Sequence, residues 1–170
     1  WVESETGKGS TFHFSIPLPT KDHITDQLSS SDSFQKEITL ETKSTISVLL
    51  AEDVEENAMV IEAYLSKTPH LLDIVADGSQ AVKAIQSGKK YGLVLMDVQM
   101  PVMDGLEATR LIRVWEKEQG RTKTPILALT ANAMNGDEEK SLDAGCNDHI
   151  TKPITKIKLL DLIEQLKKQQ

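Results

Sequence analysis

The stretch from Ile46 to the C-terminus predicts an α/β fold, a doubly wound five-stranded parallel sheet with helices on both faces. Three observations carry the expectation. Short apolar runs alternate with amphipathic segments five times. The amphipathic segments are roughly 10 to 15 residues long, enough for the crossover that parallel neighbours require. Several apolar runs also end abruptly in acids, Thr or Lys, as strands do when they open onto a crevice at their carboxyl ends.

The elements follow in order. Ile46-Ser47-Val48-Leu49-Leu50-Ala51 is a β-branched and Leu run that ends at acids, the first strand of the sheet. Glu56 to Ser66 sets Met59, Ala63 and Leu65 with Val60 and Tyr64 at helical spacings, and Pro69 lies just beyond its end. The alternation continues as a strand from Leu71 to Ala76, a helix from Ser79 to Gln86 closed by Gly88, a strand from Leu93 to Met96, and a helix from Gly105 to Lys117 closed by Gly120. A strand from Ile126 to Leu129, a helix from about Asn135 to Ala144 stopped at Gly145, a short strand around Ile150 and a helix from Lys156 to Lys168 complete it. Ahead of these, Thr11 to Pro17 places Phe12, Phe14 and Ile16 at period two, a half-buried strand with no expected partner in this chain. Between Thr20 and Thr45, 10 of 26 residues are Ser or Thr, so residues 20–44 are expected to be a linker.

The bulk composition narrows the function. Of the 170 residues 39% are apolar and 26% charged, which suits a soluble globular domain. A net charge of -7, with no long run of Lys or Arg, argues against nucleic acid or an anionic membrane surface as a partner. The single cysteine, Cys146, points to a reducing, cytoplasmic setting, and no apolar run approaches the roughly 18 residues of a membrane helix. The opening Trp1-Val2-Glu3-Ser4-Glu5, without Met, suggests a piece of a longer protein whose missing regions could supply a membrane tether.

The strand ends carry the chemistry. Glu52 and Asp53 close the first strand and Asp97 closes the third, so neighbouring strands would bring three carboxylates together. Their mutual repulsion is relieved by a hard cation with oxygen ligands, and Mg2+ suits a few carboxylates with water and phosphate. Taken one at a time, such acids could equally cap the helices that follow. Thr130 ends the fourth strand and Lys152 follows the fifth, adding a hydroxyl and an ammonium at the same edge. Together with a bound cation these groups would stabilise a phosphoryl group transferring to Asp97 as nucleophile.

Glu52-Asp53, Met96-Asp97-Val98-Gln99-Met100-Pro101-Val102-Met103-Asp104-Gly105, Leu129-Thr130-Ala131 and Lys152-Pro153 resemble the response-regulator receiver family over about Ile46 to Leu166. The resemblance implies the flavodoxin-like strand order 2-1-3-4-5. It implies Mg2+ held by Glu52, Asp53, Asp97 and the Gln99 backbone carbonyl, Asp97 as the phosphorylation site, Thr130 as switch hydroxyl, and Lys152 as phosphate ligand before a cis Pro153. His149 stands where the family usually has a Tyr or Phe switch ring. Gln99 and Asn132 stand at the positions that set phosphoryl lifetime, and neither can act as a base, so a lifetime of minutes or longer is expected. Partner docking is expected on the first helix around Asn57, Met59 and Ile61, and Met100, Met103 and Met134 are expected to pack near the site.

Ser4-Glu5-Thr6-Gly7-Lys8-Gly9-Ser10-Thr11-Phe12 resembles the last glycine-rich box of the histidine-kinase ATP-binding domain, and Phe14 to Pro19 its closing strand. Residues 1–19 are thereby expected to be a kinase remnant, 20–44 the linker and 45–170 the receiver. The implied parent is a hybrid histidine kinase whose core passes phosphoryl to Asp97, from which it moves to a histidine phosphotransfer partner. A receiver that regulates its kinase by contact alone is the alternative. A phosphatase with an Asp nucleophile would want a second acid where Gln99 stands.

Overall fold

The structure is a computed structural model that describes residues 2–5, 7–13, 45–131 and 137–168. The chain divides into two compact units, residues 1–39 and 40–170.

In the first unit β1 (Val2–Glu5) pairs antiparallel with β2 (Gly9–Phe12), Val2 opposite Phe12 and Glu5 opposite Gly9. The reversal passes through Gly7 at φ 84°, a left-handed conformation that glycine adopts without steric cost. This corrects the expectation that the Phe12 strand lacks a partner. Val-Glu-Ser-Glu has only one apolar residue, so its strand is set by its neighbour across the turn and not by its own pattern. Phe14 and Ile16, and the expected linker 20–44, lie outside the described residues.

The second unit holds β3 (Ser47–Ala51), α1 (Glu55–Leu65), β4 (Leu71–Val75), α2 (Gly78–Gln86), β5 (Leu93–Asp97), α3 (Gly105–Glu118), β6 (Ile126–Thr130), α4 (Asp137–Ala144), β7 (Asp148–Thr151) and α5 (Lys156–Lys167). The strands form one parallel sheet in the order β4-β3-β5-β6-β7. Renumbered from β3, this is the expected order 2-1-3-4-5, with the crossover reversing beside β3 and β5. The start expected for the fourth helix, near Asn135, lies outside the described residues.

Alternate strand residues point to opposite faces, which divides the core in two. Val48, Leu50, Leu95, Leu129 and Ile150 pack with Ile61 and Leu65 of α1 and with Leu159 and Ile163 of α5. Leu49, Ala51, Val94, Met96 and Ala128 pack on the other face with Ala81 and Ile85 of α2 and with Ala108 and Ile112 of α3. Side-chain caps fix three helix starts: Asp77 accepts from Gln80 N at 2.8 Å, Asp104 from Glu107 N at 2.8 Å, and Thr155 from Lys158 N at 3.3 Å. The α1 N-cap is Val54, which supplies no side-chain acceptor.

Two helix starts lie against bare backbone. A Cβ on Gly105 would stand 2.0 Å from the Asp97 carbonyl oxygen, and one on Gly78 would stand 2.7 Å from the Met103 carbonyl oxygen. Only glycine lets the start of α3 close onto the end of β5 in this way. Among the described residues no helix is long and apolar enough to cross a membrane.

Candidate functional site

The parallel sheet gathers its polar residues at one edge because all five strands point their carboxyl ends the same way. Glu52 directly follows β3 and its N–H donates to the Val75 carbonyl at 3.0 Å, which extends the ladder by one residue. Asp97 ends β5, next to β3 in the sheet, and Thr130 ends β6. The Lys152 N–H donates to the Thr130 carbonyl at 2.8 Å, which anchors the segment after β7 at the same edge.

The expected acids converge. Glu52, Asp53 and Asp97 each place one carboxylate oxygen within 4.8 Å of the others. Glu52 and Asp97 are buried, at 4% and 6% exposure, while Asp53 is exposed. Hard oxygen donors in this number, with one acid open to solvent, fit Mg2+ better than a soft or nitrogen-preferring ion. The Gln99 N–H donates to Asp97 Oδ1 at 3.2 Å, so the Gln99 backbone lies against the Asp97 carboxylate.

Lys152 joins the acids. Its Nζ lies 2.6 Å from Glu52 Oε2 and 2.5 Å from Asp97 Oδ2. Burial pushes the Asp97 pKa above its ordinary value, and the Glu52 charge pushes the same way, against the Lys152 ammonium and the Gln99 N–H. Burial also works against the charge of Lys152, but its hydrogen bonds to Asp97 and Glu52 outweigh that and raise its pKa. Thr130 is buried beside them at 2% exposure.

The remaining expected residues separate. His149 is on β7 opposite Ala128, with Nδ1 3.7 Å from Asp148 and 3.9 Å from Glu138 of α4, which directs it toward α4 and away from the acids. Met59 is 58% exposed, but Ile61 is 3% exposed and belongs to the core. Ile61 is therefore corrected from docking surface to core residue. Residues two apart on a helix point about 200° apart, so Asn57, Met59 and Ile61 cannot share a face. Val60, 45% exposed, continues the outer surface instead. Met100 and Met103 pack against the α2 and α3 side of the core, while Asn132 and Met134 lie outside the described residues.

Two features were not read from the sequence. Asn57 Nδ2 donates to Glu52 Oε1 at 2.8 Å, a contact that an Asn in the first turns after an acid strand end could have signalled. Beside it a cavity of about 580 Å3 opens between α1 and the segment after β7, lined by Val60, Tyr64, Pro153 and Ile154 with Asn57 and Lys152 at its polar end.

The sequence profile of the response regulator receiver domain matches residues 48–164. The chain belongs to the response regulator receiver family. This receiver is 40% identical over 116 residues to the sensor protein GacS of Pseudomonas syringae pv. syringae, covering 68% of the chain and 13% of that protein. It is 37% identical over 160 residues to the autoinducer 2 sensor kinase/phosphatase LuxQ of Vibrio vulnificus, covering 94% of the chain and 18% of that protein. The chain spans between 3% and 18% of the length of these and the other curated relatives compared. Among solved structures, the receiver domain of a Pseudomonas aeruginosa sensor histidine kinase, crystallised with magnesium in its active-site cleft, is 41% identical with a TM-score of 0.64 and covers 72% of this chain and 98% of that one. A co-crystal structure of a Saccharomyces cerevisiae histidine phosphotransfer signaling protein and the receiver domain of its downstream response regulator matches at 33% identity and TM-score 0.64, covering 72% of this chain and 86% of that one.

Proposed function

We propose that this receiver takes a phosphoryl group from a phosphohistidine onto Asp97 and passes it to a histidine phosphotransfer partner. The observation that carries the reading is the Lys152 ammonium, bonded at once to Glu52 and Asp97 in a crevice where three carboxylates meet. An Asp97 carboxylate oxygen attacks phosphorus, the phosphorus–nitrogen bond to the donor imidazole breaks, and its electron pair remains on that nitrogen. Glu52, Asp53, Asp97 and the Gln99 carbonyl would hold Mg2+, which would supply positive charge to the phosphoryl oxygens in transfer. Lys152 meets a further oxygen with a point charge, and the Thr130 hydroxyl offers a hydrogen bond from the neighbouring strand end. Gln99 brings no base beside the product, which favours a long-lived phosphoryl group.

The kinase core of a hybrid parent chain is the proposed donor, with residues 1–19 the end of its ATP-binding domain and 20–44 a linker to the receiver. The LuxQ match supports this because it extends beyond the receiver to 94% of the chain. Likeness to a receiver crystallised with a histidine phosphotransfer protein supports the onward partner, and exposed Met59 of α1, with exposed Val60 at the apolar cavity, offers it a surface.

The test is intact mass after incubation with acetyl phosphate and Mg2+, for wild type and Asp97→Asn. One phosphoryl gained by wild type, dependent on Mg2+ and lost in the variant, is the expected result. A wild type that gains none overturns transfer chemistry in favour of regulation by contact.

A further inference from the structure

We infer that Asn57 is a positioning residue for the metal site, holding the Glu52 carboxylate in the orientation that ligates the cation. The inference rests on the Mg2+ reading above and adds to it a residue outside the ligand set.

Glu52 has one more rotatable bond than an Asp would have at the same strand end, so its carboxylate needs more restraint to stay in one place. Both of its oxygens are restrained. Lys152 takes Oε2 at 2.6 Å and Asn57 takes Oε1 at 2.8 Å. The two donors differ in what else they do. Lys152 also reaches Asp97 at 2.5 Å, and in phosphoryl transfer its charge is directed to phosphoryl oxygens, which weakens its hold on Glu52. The Asn57 amide makes no second side-chain hydrogen bond among the described residues, so it is the tether that persists.

The tether is built into the helix. Asn57 is the third residue of α1, and its own N–H bonds to the Val54 carbonyl at 3.1 Å. That places the side chain back over the strand end it follows, as helix geometry directs. Glu52 is buried while Asn57 is exposed, so one amide crosses from the surface into the site. An outward-facing helix Asn with no site role would have no reason to aim its donor at a buried carboxylate.

The test is Mg2+ affinity by calorimetry for wild type, Asn57→Ala, Glu52→Asp and the double variant. Asn57→Ala is expected to weaken Mg2+ binding about tenfold in the Glu52 protein, as loss of an outer hydrogen bond to a ligand does. In the Glu52→Asp protein, whose shorter carboxylate cannot reach the amide, the same change is expected to alter affinity by less than about twofold. Equal weakening in both backgrounds, or none in the first, overturns the inference. The nuclear magnetic resonance signal of the Asn57 side-chain amide in labelled wild type, expected to shift saturably with the calorimetric Kd, checks it without any variant, and an unmoved signal counts against it. A residue that served only docking would leave Mg2+ affinity and acetyl phosphate labelling unchanged and slow only transfer to the partner. Absence of any Mg2+ binding by wild type overturns the metal reading itself, a result distinct from a wild type that binds and a variant that binds equally well.

Discussion

Replacing Lys152 by Met keeps a long unbranched side chain and removes the ammonium that joins the two buried acids. The Lys152, Glu52 and Asp97 side chains are 23%, 2% and 8% exposed, so little solvent screens them. At contacts of 2.6 and 2.5 Å the gross attraction is about 6 kcal/mol each for an effective dielectric constant of about 20. Desolvation of the ammonium offsets much of that sum, and removal of one partner from a buried pair costs about 3–5 kcal/mol net. For a domain of this size that is roughly 10–20 °C in Tm. Urea unfolding followed by circular dichroism, in EDTA near neutral pH, is the assay. The loss has a sign with pH. Asp97 is held above its ordinary 3.8 in the folded protein, so its contribution to stability is full below the unfolded value and is lost as pH rises through the folded one. Taking away Lys152 pushes the folded value further up, so the deficit should narrow on acidification and widen toward neutral pH. Added Mg2+ should recover part of it, since a cation at the same acids replaces the missing charge. A loss below about 1 kcal/mol, or one indifferent to both pH and Mg2+, would refute the reasoning.

Three further outcomes are expected. Gly105→Ala should cost about 3 kcal/mol and slow acetyl phosphate labelling, because the new methyl would meet the Asp97 carbonyl at 2.0 Å; melts and labelling rates on one preparation check both. Arg113→Met should lower the urea midpoint by about 3 kcal/mol in equivalent stability, since Glu116, 2% exposed, would keep only the Thr124 N–H and lose its 2.7 Å contact to Arg113. Hydrogen bonds from Lys89 and Tyr91 hold the Asp73 pKa below 3.8, so its stabilisation is present above the unfolded value and is lost as pH falls through the folded one. Asp73→Asn should therefore flatten the acid limb of a stability-against-pH curve and leave its slope near neutral pH unchanged.

The sheet was legible because its three central strands are buried on both faces and read as unbroken apolar runs. Val48 to Ala51, Leu93 to Met96 and Ile126 to Leu129 could be little else at that length. The acids and the hydroxyl were legible from position, falling where an apolar run stops, and the lysine from following the short strand around Ile150. What escaped was set by contacts across space. Val2–Glu5 carries no strand pattern and is ordered by pairing with Gly9–Phe12. Ile61 was placed on a surface because three residues at spacing two were read as one face, which a helix does not allow. Nothing in a linear spacing shows that the amide of Asn57, expected at the docking surface, also turns back toward Glu52. The Arg113 guanidinium, which reaches the Gly145 carbonyl at 2.8 Å and Asn147 at 3.1 Å, likewise ties α3 to the approach to β7 through residues more than 30 positions away.

The bare contacts at Gly105 and Gly78 have a mechanical consequence. A side chain is the yielding part of a packed interface, because a rotamer can shift for about 1 kcal/mol, whereas backbone against backbone has no such give. The end of β5, the start of α3 and the start of α2 are stacked in that way, so they shift only as one block. A change at Asp97 would therefore meet a stiff flank toward α2 and α3. On the opposite flank Lys152 meets Asp97 through a side chain that can turn, so that flank is the yielding one.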